Sequence, residues 1–399
     1  MRAHDRQPLH ESLRIPSRAG RDAIQRPPLT RAGMHASGAR AVFPRRMRHR
    51  RMSETTPIQP RRARQLSVED YVNGVRAGDR ALLARAITLV ESQSLRHEAQ
   101  AQAVLHDLLP FTGMAKRVGI TGVPGVGKST FIEFLGCHLV DRGQKIAVLT
   151  IDPTSSRSGG SILGDKTRMD RLCQCPDAFI RPSPSGLSLG GVARRTRETM
   201  LLCEAAGFDT IIVETVGVGQ TEIALRSMVD FFLLLLLPGA GDELQGIKKG
   251  IVEMADLVAL NKADGDNRIL AERARQDQSA ALHYLRPATP EWPAEVMLCA
   301  GLTGEGVPQI WERVEMFYAT LAPKGVIARR RQEQSLTWLH DLLLDELQRR
   351  FYHDPRVTAR LADTRQALLR GEITAVRAAE SLLAAHHDPE GSPLYDTKN

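Results

Sequence analysis

Gly122-Val-Pro-Gly-Val-Gly-Lys-Ser129 reads G-x-x-x-x-G-K-S, and few eight-residue strings commit a chain to so narrow a choice of folds. The apolar run Arg117-Val-Gly-Ile-Thr121 before it reads as a short buried strand, and Thr130-Phe-Ile-Glu-Phe-Leu after it as a helix start. In that setting backbone N–H groups curl around a polyphosphate, and the helix N-terminus adds a field that favours negative charge. Gly122, Val123, Pro124, Gly125, Val126, Gly127 and Thr130 would form the phosphate cradle. Lys128 would reach the β- and γ-phosphates, and the Ser129 hydroxyl would sit on Mg²⁺. A fortuitous glycine-rich turn is the bland alternative, and the strand and helix on its flanks argue against it. The expectation is a nucleoside triphosphate site.

The rest of the chain supplies the sheet such a loop needs. Short apolar runs at Val118–Thr121, Ile146–Ile151, Ala178–Arg181, Thr210–Glu214, Phe231–Leu237, Leu257–Asn261 and Val296–Cys299 alternate with helical stretches. That alternation predicts an α/β fold, a mostly parallel central sheet with helices on both faces. Ser67-x-x-Asp70 resembles a capping box, and Asp79 and Ser94 can open two more helices, so a helical segment over 66–113 precedes the sheet domain of 114–323. Beyond Pro323, Leu336, Leu339, Leu342/Leu343, Leu347 and Phe351 recur every three to four residues. This stripe in the segment 324–399 suits either intramolecular packing or a helical arm used for dimerisation.

Polar residues gather at the predicted strand ends, where an open α/β sheet binds its ligand. Asn261-Lys-Ala-Asp264 lies 133 residues after Lys128. The Asp264 carboxylate can accept from both guanine N1–H and the 2-amino group, donors that adenine lacks. An unpaired buried polar group costs about 1–3 kcal/mol, so the site should prefer GTP to ATP. Asn261 would bond the other purine edge, the Lys262 stem would lie on the ring, and Ala300, Gly301 and Leu302 could close the base pocket through backbone N–H. Glu214-Thr-Val-Gly217 ends another strand, where Glu214 can serve Mg²⁺ and the Gly217 N–H can sense the γ-phosphate. Asp152 and Asp165 bracket a glycine- and serine-rich stretch suited to a loop that folds over Mg²⁺ and phosphate. Val218 stands where a water-orienting glutamine is found in Ras-like proteins, so unaided hydrolysis should be slow.

Bulk properties exclude some alternatives. The net charge of +8 is misleading, because residues 1–51 carry 13 arginines, no lysine and three acidic residues, a surplus of +10. Everything from Met52 onward sums to −2, so a basic nucleic-acid-binding surface is not implied for the folded body. The arginine-rich stretch over 1–65 reads as a disordered extension, either an over-long start with Met52 the true beginning or an organelle transit peptide. The corresponding locations are the cytoplasm or, alternatively, the mitochondrial matrix. Five scattered cysteines suit a reducing compartment and argue against a disulfide framework. The greasiest run, Phe231–Leu237, is far short of the ~20 residues a bilayer span requires, so no membrane anchor is expected.

Taken together, Gly122–Ser129, Asp152–Asp165 with Lys-Thr-Arg-Met169, Glu214-Thr-Val-Gly-Val-Gly-Gln220, Gly241–Gly250 and Asn261–Asp264 resemble the MeaB/ArgK group of P-loop GTPases, which includes the methylmalonic aciduria type A proteins. The resemblance runs from about Leu66 to Arg350. It implies a GTP-hydrolysing chaperone that binds an adenosylcobalamin-dependent acyl-CoA mutase, chiefly methylmalonyl-CoA mutase, gating cofactor loading and protecting or reactivating the enzyme. The implied ligands are GTP or GDP with Mg²⁺, and no cobalamin on this chain itself. Lys128, Asp165 and Glu214 would be catalytic. Ser129, Asp152, Asp165 and Glu214 would lie on the metal side. Asp242, Gln245, Lys248 and Lys249 would form a switch that passes nucleotide state to the mutase, and the C-terminal helices would dimerise. Two other readings are a kinase linked to amino-acid transport and a nickel or cobalt metallochaperone GTPase; the chain lacks the His-rich tract expected of the latter.

Overall fold

The structure, a computed structural model, describes residues 66–92, 94–151, 169–183, 189–215, 221–239 and 249–387. For Leu95, Ser183, residues 189–192, Lys249 and His387 it describes the backbone. Ser67 opens α1 (Val68–Arg76) with both halves of a capping box: its hydroxyl accepts from Asp70 N at 3.0 Å, and its own N–H donates to the Asp70 carboxylate at 2.9 Å. Asp79 caps α2 (Arg80–Glu91) by accepting from Ala81 N and Leu82 N. Such caps contribute about 1 kcal/mol each. Ser94 precedes α3 (Leu95–Leu108) but makes no side-chain cap bond.

The core alternates as the sequence predicts: β1 (Lys116–Gly122), α4 (Lys128–Asp141), β2 (Ile146–Ile151), α5 (Asp170–Gln174), β3 (Ala178–Ser183), α6 (Leu189–Ala205), β4 (Thr210–Thr215), α7 (Thr221–Arg226), β5 (Phe231–Leu236), α8 (Lys249–Glu253), β6 (Leu257–Leu260), α9 (Arg268–His283), β7 (Glu295–Leu298) and α10 (Val307–Leu321). The seven strands lie in the order β3-β2-β4-β1-β5-β6-β7, and every pairing is parallel. All seven predicted strands are present, with ends moved by at most two residues.

Both faces of this sheet are covered, which is why its strands read as continuous apolar runs. On β5, Phe231, Leu233 and Leu235 face one core with Phe131, Leu135, Trp311 and Phe317 from α4 and α10. Phe232, Leu234 and Leu236 face the other, with Leu83, Ile87, Val104, Met200 and Cys203. The N-terminal helices thus join α6 in one layer over the sheet. On the opposite layer Phe317 meets Phe231 and Trp292 edge-on, at centroid distances of 5.0 and 5.2 Å.

The C-terminal segment is α11 (Val326–His353), α12 (Pro355–Leu369) and α13 (Ala375–His387). α11 would run about 42 Å at 1.5 Å per residue. Its first two turns dock under the sheet through Arg330 and Arg331, which bond to residues ahead of β5 and β6. Farther on, Leu336, Leu339, Leu343, Leu344 and Leu347 are all more than half exposed. Among the described residues no helix is long and apolar enough to cross a membrane.

Candidate nucleotide site

The phosphate loop is shaped by what a side chain at its glycines would strike. Gly122 ends β1 at φ +153°, and a Cβ there would stand 2.3 Å from the Leu235 carbonyl oxygen. Gly127 caps α4 in a left-handed conformation, φ +95°, where a Cβ would meet Asn261 Nδ2 at 2.8 Å. Between them Pro124 and Gly125 are exposed, while Val126 is buried and anchors the loop in the core. Lys128 is 7% exposed, and its ammonium donates to the carbonyls of Gly122 at 2.8 Å and Val123 at 3.1 Å. The charge therefore lies across the mouth of the loop, within reach of a phosphate held by the loop's N–H groups.

Register explains the next contact. Ile120 of β1 pairs with Glu214 of β4, so the tips of the two strands lie side by side. Thr121 and Thr215 share a hydroxyl hydrogen bond of 2.7 Å there. The Ser129 hydroxyl, one residue into α4, donates to Glu214 Oε1 at 3.1 Å, and Glu214 is 3% exposed. A serine hydroxyl beside a buried carboxylate is a pair of hard oxygen donors, which suits Mg²⁺. The donor set fits the ion the sequence implies. Thr130 is exposed on the first turn of the same helix.

At the end of β6 the structure gives Asn261 more to do than the sequence suggests. It is 2% exposed, and both ends of its amide bond protein: Nδ2 donates to the Val126 carbonyl at 2.8 Å, and Oδ1 accepts from Gly301 N at 2.8 Å. The Cys299 thiol also points to Oδ1 at 3.6 Å; burial pushes its pKa up to about 12, so it stays a neutral donor. The sequence reading gave this amide to the purine edge, whereas here it ties the phosphate loop to the loop after β7. Lys262 follows at φ +61°, a left-handed conformation uncommon for a non-glycine residue, with its side chain exposed. Asp264 is half-buried at the start of a short 3₁₀ turn and makes no capping bond with its side chain. Ala300 is buried with its N–H on the Glu305 carbonyl at 2.8 Å, and Leu302 is 82% exposed. A Cβ on Gly301 would sit 3.1 Å from Phe131 N, so this loop rests directly on α4.

Asp152, Asp165, Gly217, Asp242, Gln245 and Lys248 lie outside the described residues, and Lys249 is described only as the first backbone position of α8. What the sequence reading missed is the Thr121–Thr215 bond and the double role of Asn261. The first has a signal, a polar residue at the end of each strand next to a glycine motif. The second has none, because Val126 and Gly301 are far from Asn261 in sequence.

Loop, Ser129–Glu214 pair and Asn261 tie all stand on the carboxyl edge of one parallel sheet, around its central strand β1. That arrangement is the P-loop GTPase fold. Residues 83–356 match the family described as methylmalonyl-CoA mutase-associated GTPase MeaB, and the chain belongs to that family. A Caulobacter vibrioides relative is 53% identical over 320 residues, covering 80% of this chain and 98% of its own. The mouse protein named methylmalonic aciduria type A homolog, mitochondrial, is 42% identical over 328 residues, covering 80% of this chain and 79% of its own. A crystal structure titled LAO/AO transport system kinase superposes with a TM-score of 0.65 at 37% identity, over 80% of this chain and 98% of that one. The protein is a GTP hydrolase.

Proposed function

We propose that this GTPase is a nucleotide-driven chaperone for an adenosylcobalamin-dependent acyl-CoA mutase, methylmalonyl-CoA mutase being the first candidate. The family match over residues 83–356 is the observation that carries the reading, since that family is described as mutase-associated. Bound Mg²⁺ would neutralise charge on the β- and γ-phosphates. Ser129 and Glu214 would hold it, with Asp152 and Asp165 as further carboxylates on the same side. Lys128 exchanges its two loop carbonyls for phosphate oxygens, and the loop N–H groups take the remainder. Asp264 reads guanine, while Asn261 keeps the two loops in register around it.

With Val218 at the water-orienting position, the unaided rate is low, and a bound mutase raises it by reordering the switch residues Asp242, Gln245, Lys248 and Lys249, while the Gly217 N–H senses the γ-phosphate. The exposed leucines of α11 pair two copies into a homodimer. The working location is the cytoplasm, or the mitochondrial matrix if residues 1–51 are a transit peptide, an alternative consistent with the mouse relative's mitochondrial name. The test is GTP turnover of the purified chain with and without mutase, alongside GTP and ATP affinities. Stimulation by mutase with GTP preferred supports the reading; fast turnover with no gain from mutase overturns it. Preference for ATP would favour the kinase reading instead.

A further inference from the structure

Threonines stand at or next to the last position of three neighbouring strands, β1, β2 and β4, on the nucleotide edge of the sheet. Thr121 of β1 and Thr215 of β4 satisfy one another through their 2.7 Å hydroxyl bond. Thr150 of β2 does not share in it: the residue is 1% exposed, and its hydroxyl is buried with no hydrogen-bond partner. A buried hydroxyl without a partner destabilises the protein that carries it, where valine would fill the same space at no such cost.

Register says what this hydroxyl lies beside. Side chains alternate between the two faces of a strand, and residues paired across parallel strands share a face. Ile146 and Val148 of β2 and Ile212 of β4 belong to the core on the α4 side of the sheet. Thr150 and Glu214, two residues on from Val148 and Ile212, therefore project from that same face. They are paired directly with each other, on strands about 4.8 Å apart. On its other flank Thr150 pairs with Pro182, whose side chain offers neither donor nor acceptor. Glu214 is thus the polar neighbour in register with the idle hydroxyl, and from the α4 side Ser129 already donates to its Oε1 at 3.1 Å.

We propose that Thr150 is a positioning residue for the metal side of the nucleotide site. With nucleotide and Mg²⁺ bound, its hydroxyl donates to the Glu214 carboxylate and fixes the orientation in which that group serves the ion. A carboxylate has about four lone-pair sites, so Glu214 can accept from Ser129 and Thr150 and still present oxygen to the metal side. A turn about the Thr150 Cα–Cβ bond changes the aim of the hydroxyl without moving the strand. In the free protein Glu214 takes the Ser129 hydroxyl and leaves Thr150 idle, and the loaded site uses both donors. This role of Thr150 presupposes that Ser129 and Glu214 hold Mg²⁺.

The test uses the full chain and two readouts, melting without ligand and Mg²⁺-dependent binding of a fluorescent, non-hydrolysable GTP analogue. Thr150→Val keeps the shape and removes the hydroxyl. Without nucleotide or Mg²⁺ it should melt about 2–4 °C higher, because the unpartnered group is gone. Its Mg²⁺ concentration for half-maximal binding of the analogue should nevertheless rise about three- to tenfold. Thr150→Ser restores the hydroxyl without the methyl group; it should melt lower than the original protein yet keep the Mg²⁺ concentration within about twofold. A threonine with a structural role alone would give the opposite order, the less stable variant binding metal more weakly. An unchanged Mg²⁺ curve in Thr150→Val, or a lower Tm for that variant without ligand, would overturn the proposal. Glu214→Gln measured alongside separates the two levels. If it too leaves the Mg²⁺ curve unchanged, the metal assignment fails and the role of Thr150 with it; if only Thr150→Val does so, Thr150 alone is ruled out.

Discussion

Replacing Asn261 with alanine separates two accounts of an N-K-x-D asparagine. If the amide serves only the purine, its loss should be silent until nucleotide is added. The structure gives it two protein bonds of 2.8 Å instead, to the Val126 carbonyl and the Gly301 N–H, both in buried residues. Each unmade buried bond costs about 1–3 kcal/mol, and partial relief by water puts the pair near ~2–3 kcal/mol. For a domain of this size each kcal/mol moves Tm by about 2 °C or slightly more, so the nucleotide-free variant should melt about 4–8 °C lower. Binding must then rebuild the register of the two loops, and ~2 kcal/mol spent there weakens GDP about 30-fold. Calorimetry of the nucleotide-free protein and a fluorescent-GDP titration measure the two effects. Asp264→Ala is the matched control, expected to lose GTP preference while its nucleotide-free Tm stays within about 1 °C, as for most half-exposed substitutions. An Asn261→Ala protein that melts normally without nucleotide yet binds GTP poorly would refute the tie.

Lys128→Ala should cut GTP turnover by about 100-fold or more, because it removes a preorganised cation from the γ-phosphate; normal turnover would remove the phosphate-loop assignment. Glu214→Gln keeps the contact shape with Ser129 but removes the charge, so the Mg²⁺ concentration for half-maximal turnover should rise about tenfold, and an unchanged Mg²⁺ curve would take Glu214 off the metal. Cys203 and Cys299 are buried, and burial raises both thiol pKa values, that of Cys299 to about 12. At pH 8 a thiol reagent should therefore reach no more than the other three cysteines until the protein is unfolded, and rapid labelling of all five would contradict the burial. Leu339→Glu with Leu343→Glu places charge in the exposed stripe of α11, and sedimentation should show monomers with GTP binding intact; an unchanged oligomer would locate the dimer contact elsewhere.

The parts of this fold that could be read from the chain are those whose cause is local. A buried parallel strand must be apolar on both sides, so Phe231–Leu236 announces itself; a phosphate loop needs glycines where a Cβ would collide, so Gly122 and Gly127 do too. Caps are local as well, as Ser67 and Asp79 show. The reading fell short where a residue's partner is distant. Nothing near Arg330 and Arg331 in the chain marks them for the sheet, yet one reaches Thr289 and the Asp230 carbonyl and the other the Asp230 carboxylate. Periodicity marked the α11 stripe but left open whether its leucines pack within the chain or stay exposed, because exposure depends on which elements remain to cover them.

Those distant partners bear on how a nucleotide signal could leave the site. α7 begins directly after the Glu214–Gln220 motif, and its last residue, Arg226, bonds Asp256 ahead of β6. Asp256 is fully enclosed, accepts also from Phe232 N at 2.9 Å, and lies 3.9 Å from Arg330 of α11. Gln334 of the same helix donates to the carbonyls of Arg226 at 3.3 Å and Val229 at 2.8 Å. The end of α7 and the root of the arm are therefore held by one set of buried polar groups. Breaking one side of a buried ion pair costs about 3–5 kcal/mol, far more than sliding one apolar surface over another. A shift of α7 that followed the γ-phosphate would have to move α11 with it or pay that cost, so the arm is positioned to register nucleotide state through charge rather than through apolar packing.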